Sequence, residues 1–227
     1  MTRYLHDAEA VRAAVERHTK RWYTVGLDLG QTTDPTAIAV IERLRVPQIG
    51  IGRLPDPIPY ATTYVVRWLE RVPLRTTYPE IIEIVRKLLH TAPLAGNSRL
   101  VIDMTGVGRP VYDLFVRAKL APVGVTITAG DDWSRDVANY RVPKRVLASR
   151  IDAALNSRDL HIVPSLPDAE VLRQELADFQ RKTTATGYTQ FAAREGRHDD
   201  LVLAVAVALW YVQQIGNQVI GMADLHF

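Results

Sequence analysis

The sequence predicts an α/β fold: a mixed sheet, three antiparallel strands followed by parallel strands, flanked by helices. Three observations predict it. From Tyr23 to Val40 (YTVGLDLGQTTDPTAIAV), Val25 and Leu27 alternate with Gly26 and Asp28, and a polar turn over Gln31 to Pro35 leads into the apolar run Ala37 to Ile41. That is the pattern of two strands joined by a turn. Further on, Arg99 to Asp103, a Gly-rich turn, a helix and Val123 to Thr128 form a β-α-β unit whose strands are parallel neighbours. Finally, Leu201 to Val212 is apolar on every side, which marks a buried helix.

Taken in order, Asp7 to Arg21 reads as a helix with Ala8, Val11 and Val15 on one side and Arg12, Glu16 and Lys20 elsewhere. Residues 1–21 are therefore expected as an N-terminal helical arm or linker, 22–215 as the main domain and 216–227 as a C-terminal tail. Arg43 to Tyr60, rich in Pro and Gly, reads as a loop or an irregular hairpin insertion. Thr62 to Val72 is the third strand of an antiparallel meander. Tyr78 to His90 has Ile81, Ile82, Val85, Leu88 and Leu89 at helical spacing, with Pro79 in its first turn. Asp103 ends a central strand, where open α/β sheets hold their ligands, and a helix runs from Pro110 to Leu120. Gly130 to Arg141 is polar and without period, hence a loop. Val142 to Arg145 opens a helix to Asn156, Leu160 to Val163 is a short strand, and Pro167 to Gln180 is an amphipathic helix. Tyr188 to Ala192 is a short extended piece.

Composition sets bounds on function. With 227 residues the chain can bury a substantial core, and 28 basic against 25 acidic side chains leave a net charge of +3. Such a balance permits a polyanionic partner without demanding one. The absence of cysteine excludes disulfides and thiolate metal sites. No apolar run has the length of a bilayer span, and the mixed charges of the N-terminus lack the apolar core of a secretory signal.

The chemistry-bearing residues are acidic. Asp28, Asp103 and the pair Asp199-Asp200 stand at two strand ends and a buried helix start. If the first strand and the Asp103 strand are adjacent, their carboxylates converge, and their repulsion calls for a divalent cation. An all-oxygen set favours Mg²⁺ or Mn²⁺, and two such ions cleave phosphodiesters with water. Singly, each residue has a plainer role: Asp199 as a helix N-cap, Asp200 against the helix dipole, Asp103 as a turn residue. Lys144 and Arg145, with Arg141 and Arg135, form a basic cluster that is either a solvated face or a contact for DNA phosphates. Arg109, in TGVGR, adds a cation where that turn could cradle phosphate. Trp133 and Tyr140 interleave with these charges as candidates for base stacking. His198 is a possible accessory base or donor. No G-x-x-x-x-G-K-[ST] is present, so there is no P-loop motor.

The segments GLDLGQTTDPTAIAV, VIDMTGVGRPVYDL, YRVPKRVL and FAAREGRHDDLVLAVAVALW resemble, in order, the nuclease domain of phage terminase large subunits, and together span residues 23 to 212. The resemblance implies a ribonuclease H-like fold and a metal-dependent endonuclease that cuts concatemeric double-stranded DNA during genome packaging, with Mg²⁺ or Mn²⁺ in a two-ion site. Asp28 and Asp103 match the family's first two acidic ligands. The HDD site falls on Asp199 and Asp200; Asp200 is favoured as principal ligand, and the sequence does not settle which. The family's ATPase motor is absent from this chain. The implied partners are therefore a separate or missing terminase ATPase domain, a small terminase subunit and a portal, in the cytoplasm of a bacterial host and transiently at the procapsid, with no membrane. Two other readings stand beside it: a non-catalytic DNA-binding or assembly module, and an actin- or sugar-kinase-like ATPase, whose phosphate hairpin GLDLGQTTDPT superficially resembles.

Overall fold

The computed structural model describes residues 4–30, 34–106, 108–137, 139–184 and 199–222. Strands β1 (Tyr4–Leu5) and β4 (Gly52–Arg53) pair antiparallel as a small separate sheet. Between them in the chain come α1 (Ala8–His18), β2 (Lys20–Asp28) and β3 (Ala37–Pro47). Then follow β5 (Tyr60–Arg71), α2 (Tyr78–Leu89), β6 (Ser98–Asp103), α3 (Gly108–Arg117), β7 (Val123–Thr128), β8 (Ser134–Asp136) and β9 (Asn139–Pro143). The chain closes with α4 (Lys144–Asn156), β10 (Leu160–Ile162), α5 (Ala169–Thr184) and α6 (Asp200–Met222).

The main sheet has eight strands in the order β10-β5-β3-β2-β6-β7-β9-β8. As expected, β2, β3 and β5 are antiparallel in succession, and β2, β6, β7 and β9 run parallel. Alternation along the central strands divides their side chains between two cores. Val25, Leu27, Ile38 and Ile102 pack with Ile81 and Val85 of α2 and Phe115 of α3. Ala37, Ala39, Val101 and Val125 pack on the other face with α4, α5 and α6.

Helix α6 is apolar all round because it is enclosed: Leu201 to Val212 lie under the sheet on one side and α4 and α5 on the other. It crosses β2 at Gly26, where an added Cβ would stand 2.0 Å from the Ala204 carbonyl oxygen. Only a residue without a side chain admits the helix backbone there.

Several expected boundaries are corrected. The segment Gly130 to Arg141, expected as a loop, contains β8 and most of β9. Their five- and three-residue strands show no run long enough to reveal period-two alternation, and β8 is wholly exposed. Strand β3 continues through Arg43 to Pro47, into what was read as insertion, because Arg43 and Arg45 stand on a face that stays partly open. The helix after β9 begins at Lys144 rather than Val142, since Val142 and Pro143 finish the strand. Helix α6 runs on to Met222, ten residues beyond the apolar stretch that announced it. The extended piece expected at Tyr188 to Ala192 lies outside the described residues. Among the described residues no helix is long and apolar enough to cross a membrane.

Candidate active site

Asp28 and Asp103 are the last residues of β2 and β6 and are register partners in the parallel pair. Asp28 is in turn opposite Ala37, and Ala37 opposite Arg71 on β5. Register partners share a face, so one row across four strands reads carboxylate, carboxylate, methyl, guanidinium. Helix α6 lies over this face and brings Asp200, its first residue, to the row.

The acidic side chains lie near enough to act on one another's charge. Burial first, then the charges of Asp103, Asp200 and Asp199, push the Asp28 pKa well above its usual value, opposed by Lys144. Asp103, 5% exposed, is also raised by burial. Its shift is moderated by Thr105, whose backbone N–H donates to Asp103 Oδ1 at 2.8 Å and whose hydroxyl donates to the same oxygen. The plain turn role expected for Asp103 is thus real, and coexists with its place in the row. Thr105 Oγ1 also accepts from the Ile127 N–H at 2.8 Å, which ties the turn after β6 to β7.

Two cations hold the helix start. Lys144 Nζ lies 2.9 Å from Asp199 Oδ2. Arg71 Nη2 is 3.6 Å from Asp200 Oδ2 and pairs closely with Glu175 Oε1. Glu175 Oε2 in turn accepts the Val202 N–H at 3.1 Å, satisfying a free amide in the first turn of α6. Burial raises the Glu175 pKa to about 7, with Asp200 and Asp199 adding to it and the Val202 amide and Arg71 opposing it. Asp199 occupies the N-cap position, its carbonyl accepting the Leu203 N–H at 2.9 Å, while its carboxylate serves Lys144.

No family model, curated protein or solved structure matches this chain.

Of the expected site residues, the fold gathers Asp28, Asp103, Asp199, Asp200 and Lys144. His198 lies outside the described residues. Arg145 bonds the Asp131 carbonyl at 2.8 Å and its carboxylate at 2.9 Å. Arg109 pairs with Asp113 at 3.0 Å and lies over the Tyr112 ring. Arg141 is exposed and alternates with Tyr140, so it faces away from the α6 side. Trp133 and Tyr140, the candidates for base stacking, pack against Trp210. Tyr140 is buried edge-on against Trp210 at 5.1 Å, and Trp133, half-buried, meets the same ring at 5.8 Å.

Sequence reasoning missed Arg71, Glu175 and Thr105. Glu175 carried a signal: it sits between Leu172, Leu176 and Phe179 on the inward stripe of α5, where a carboxylate needs a partner. A hard divalent cation suits this all-oxygen donor set by its chemistry. Among the described residues no three His, Cys, Asp or Glu side chains stand at metal-ligating spacing, and Asp199 and Asp200 are engaged by Lys144 and Arg71.

Proposed function

We propose that this chain is a divalent-metal-dependent endodeoxyribonuclease of ribonuclease H-like fold, the nuclease part of a viral genome-packaging terminase. The single observation that carries the reading is the pairing of Asp28 with Asp103 at adjacent strand ends, with Asp200 and Asp199 arriving on the same face. The order β5-β3-β2-β6-β7, three antiparallel strands followed by parallel ones, supports the fold assignment.

In this reading Asp28, Asp103 and Asp200 hold Mg²⁺ or Mn²⁺, and the bound ions supply an activated water and charge neutralisation at the phosphate. Asp199 stays with Lys144, whose ammonium is the nearest cation for a DNA phosphate. Thr105 fixes the Asp103 carboxylate, and Glu175 with Arg71 fixes the start of α6. The substrate is double-stranded DNA; the ATPase motor, small terminase subunit and portal would be partners in the cytoplasm of a bacterial host.

A second reading is favoured by the ion pairs themselves. Lys144 and Arg71 partly neutralise the carboxylates without any metal, as they would in a DNA-binding or assembly module that keeps the fold and does not cut. Supercoiled plasmid incubated with Mn²⁺, Mg²⁺ or EDTA separates the two, beside an Asp103→Ala variant. Metal-dependent nicking that the variant loses supports the nuclease. Equal residual cutting by both proteins, or no cutting with either metal, rejects it.

A further inference from the structure

The α6 side of the sheet has a second polar place, about 20 Å along β2 from Asp28. A pocket of about 320 Å³ opens there, lined by Trp22, Arg43, Arg99, Tyr211, Val212 and Ile215. Trp22, Arg43 and Tyr64 are register partners across β2, β3 and β5, so Arg43 stands between two aromatic side chains on one face. Arg99 lines the pocket beside the phenol of buried Tyr211. Among the described residues neither Arg43 nor Arg99 forms an ion pair with a carboxylate.

These guanidiniums differ from Arg21, Arg67 and Arg71 of the same sheet. Arg21 and Arg67 are satisfied by buried Glu42, and Arg71 by Glu175. Burial pushes the Arg43 pKa down, and neighbouring Arg45 adds to the push. The positive character continues at Lys20 and Arg45, which lie 5.5 and 4.5 Å from the centroid of the Tyr60 ring. Apolar walls, an indole and two forked cations without a carboxylate partner among the described residues are complementary to an anion carried on a flat apolar body.

We propose that this pocket binds a nucleotide, free or within a strand, with Arg43 and Arg99 on its phosphate oxygens and Trp22 against its base. The proposal stands on the pocket alone and does not rest on the nuclease reading. Its size is near the lower end for small-molecule pockets, so one nucleotide unit fills it.

The test is binding in EDTA, where metal-dependent cutting is blocked. Adenosine monophosphate is titrated calorimetrically, and a short fluorescein-labelled oligothymidylate by anisotropy, against wild type, Arg43→Gln/Arg99→Gln and Arg43→Lys/Arg99→Lys. Wild type is expected to bind at least one probe, the glutamine pair to weaken it about tenfold or more, and the lysine pair to restore part of it. Binding of the mononucleotide identifies a free nucleotide as sufficient; binding of the oligomer alone identifies a strand. Failure of wild type to bind either probe overturns the proposal, as does unchanged affinity in the glutamine pair. If circular dichroism shows that pair unfolded, Arg99→Gln alone decides, since its side chain is exposed.

Discussion

Asp28 is the residue on which charge repulsion falls most heavily, with three carboxylates and burial all opposing its ionisation. In the absence of metal that repulsion destabilises the fold at neutral pH. Asp28→Asn is therefore expected to raise the melting temperature in EDTA at about pH 8 by about 2–4 °C, corresponding to roughly 1 kcal/mol in a protein of this size, while abolishing cleavage. A lower melting temperature would show that Asp28 is stabilised by its neighbours instead. Glu175 adds a pH dependence of defined sign. A carboxyl raised from 4.5 to about 7 binds its proton more tightly in the folded chain than in the unfolded one. Stability from this group is full below 4.5 and is lost as pH rises through about 7. Melting followed from about pH 5 to about pH 8 should fall by several degrees, and Glu175→Gln should flatten the curve. A slope unchanged by that substitution would assign the effect to the aspartates.

Among the elements, α6 sets the site, and its seat on Gly26 is the most exacting contact. Gly26→Ala drives a methyl into the Ala204 carbonyl and is expected to cost about 1–3 kcal/mol or more, with cleavage falling as Asp200 is displaced. Chemical denaturation reads the first effect and plasmid nicking the second; full stability in the variant would mean that the helix shifts without cost. Glu175→Ala removes the acceptor of the Val202 amide, whereas Glu175→Gln keeps an acceptor and loses the charge. The alanine variant should therefore melt lower than the glutamine one, by about 1 kcal/mol or somewhat more. Equal melting would mean that the amide has another partner.

What could be read in advance follows the same physics. The strands β2, β3 and β6 and the buried helix were legible because most of their residues are buried, and β5 and β7 because their apolar or β-branched runs are long enough to read. Asp28, Asp103 and the Asp199-Asp200 pair were legible because a carboxylate at the edge of such a stretch is anomalous. Strands β8 and β9 were not, being short and partly exposed. Arg71 was hidden because a charged residue at a strand end is common, and its value comes only from the register that sets it in line with Asp28 through Ala37. The packing of Tyr140 on Trp210 was not legible, because composition does not say which side of a strand meets that ring.

For the whole molecule, the sheet carries two polar places on one side, separated by the length of β2. The acidic row faces the end where β2, β6, β7 and β9 finish, and the arginine pocket the end where β2 begins. Salt should therefore act on them in opposite senses: screening relieves repulsion in the first and weakens anion capture in the second. In EDTA, melting temperature is expected to rise with moderate salt while affinity for the oligothymidylate falls. If both move together, the two places are not electrostatically distinct.

The row also imposes an order on the protein's birth. Asp28 leaves the ribosome before Asp103, and Asp200 comes only with α6, the last described helix. Every shorter nascent chain lacks the third wall of the site and the cover over its sheet. Translation itself thus keeps the acidic row unassembled until α6 has been made.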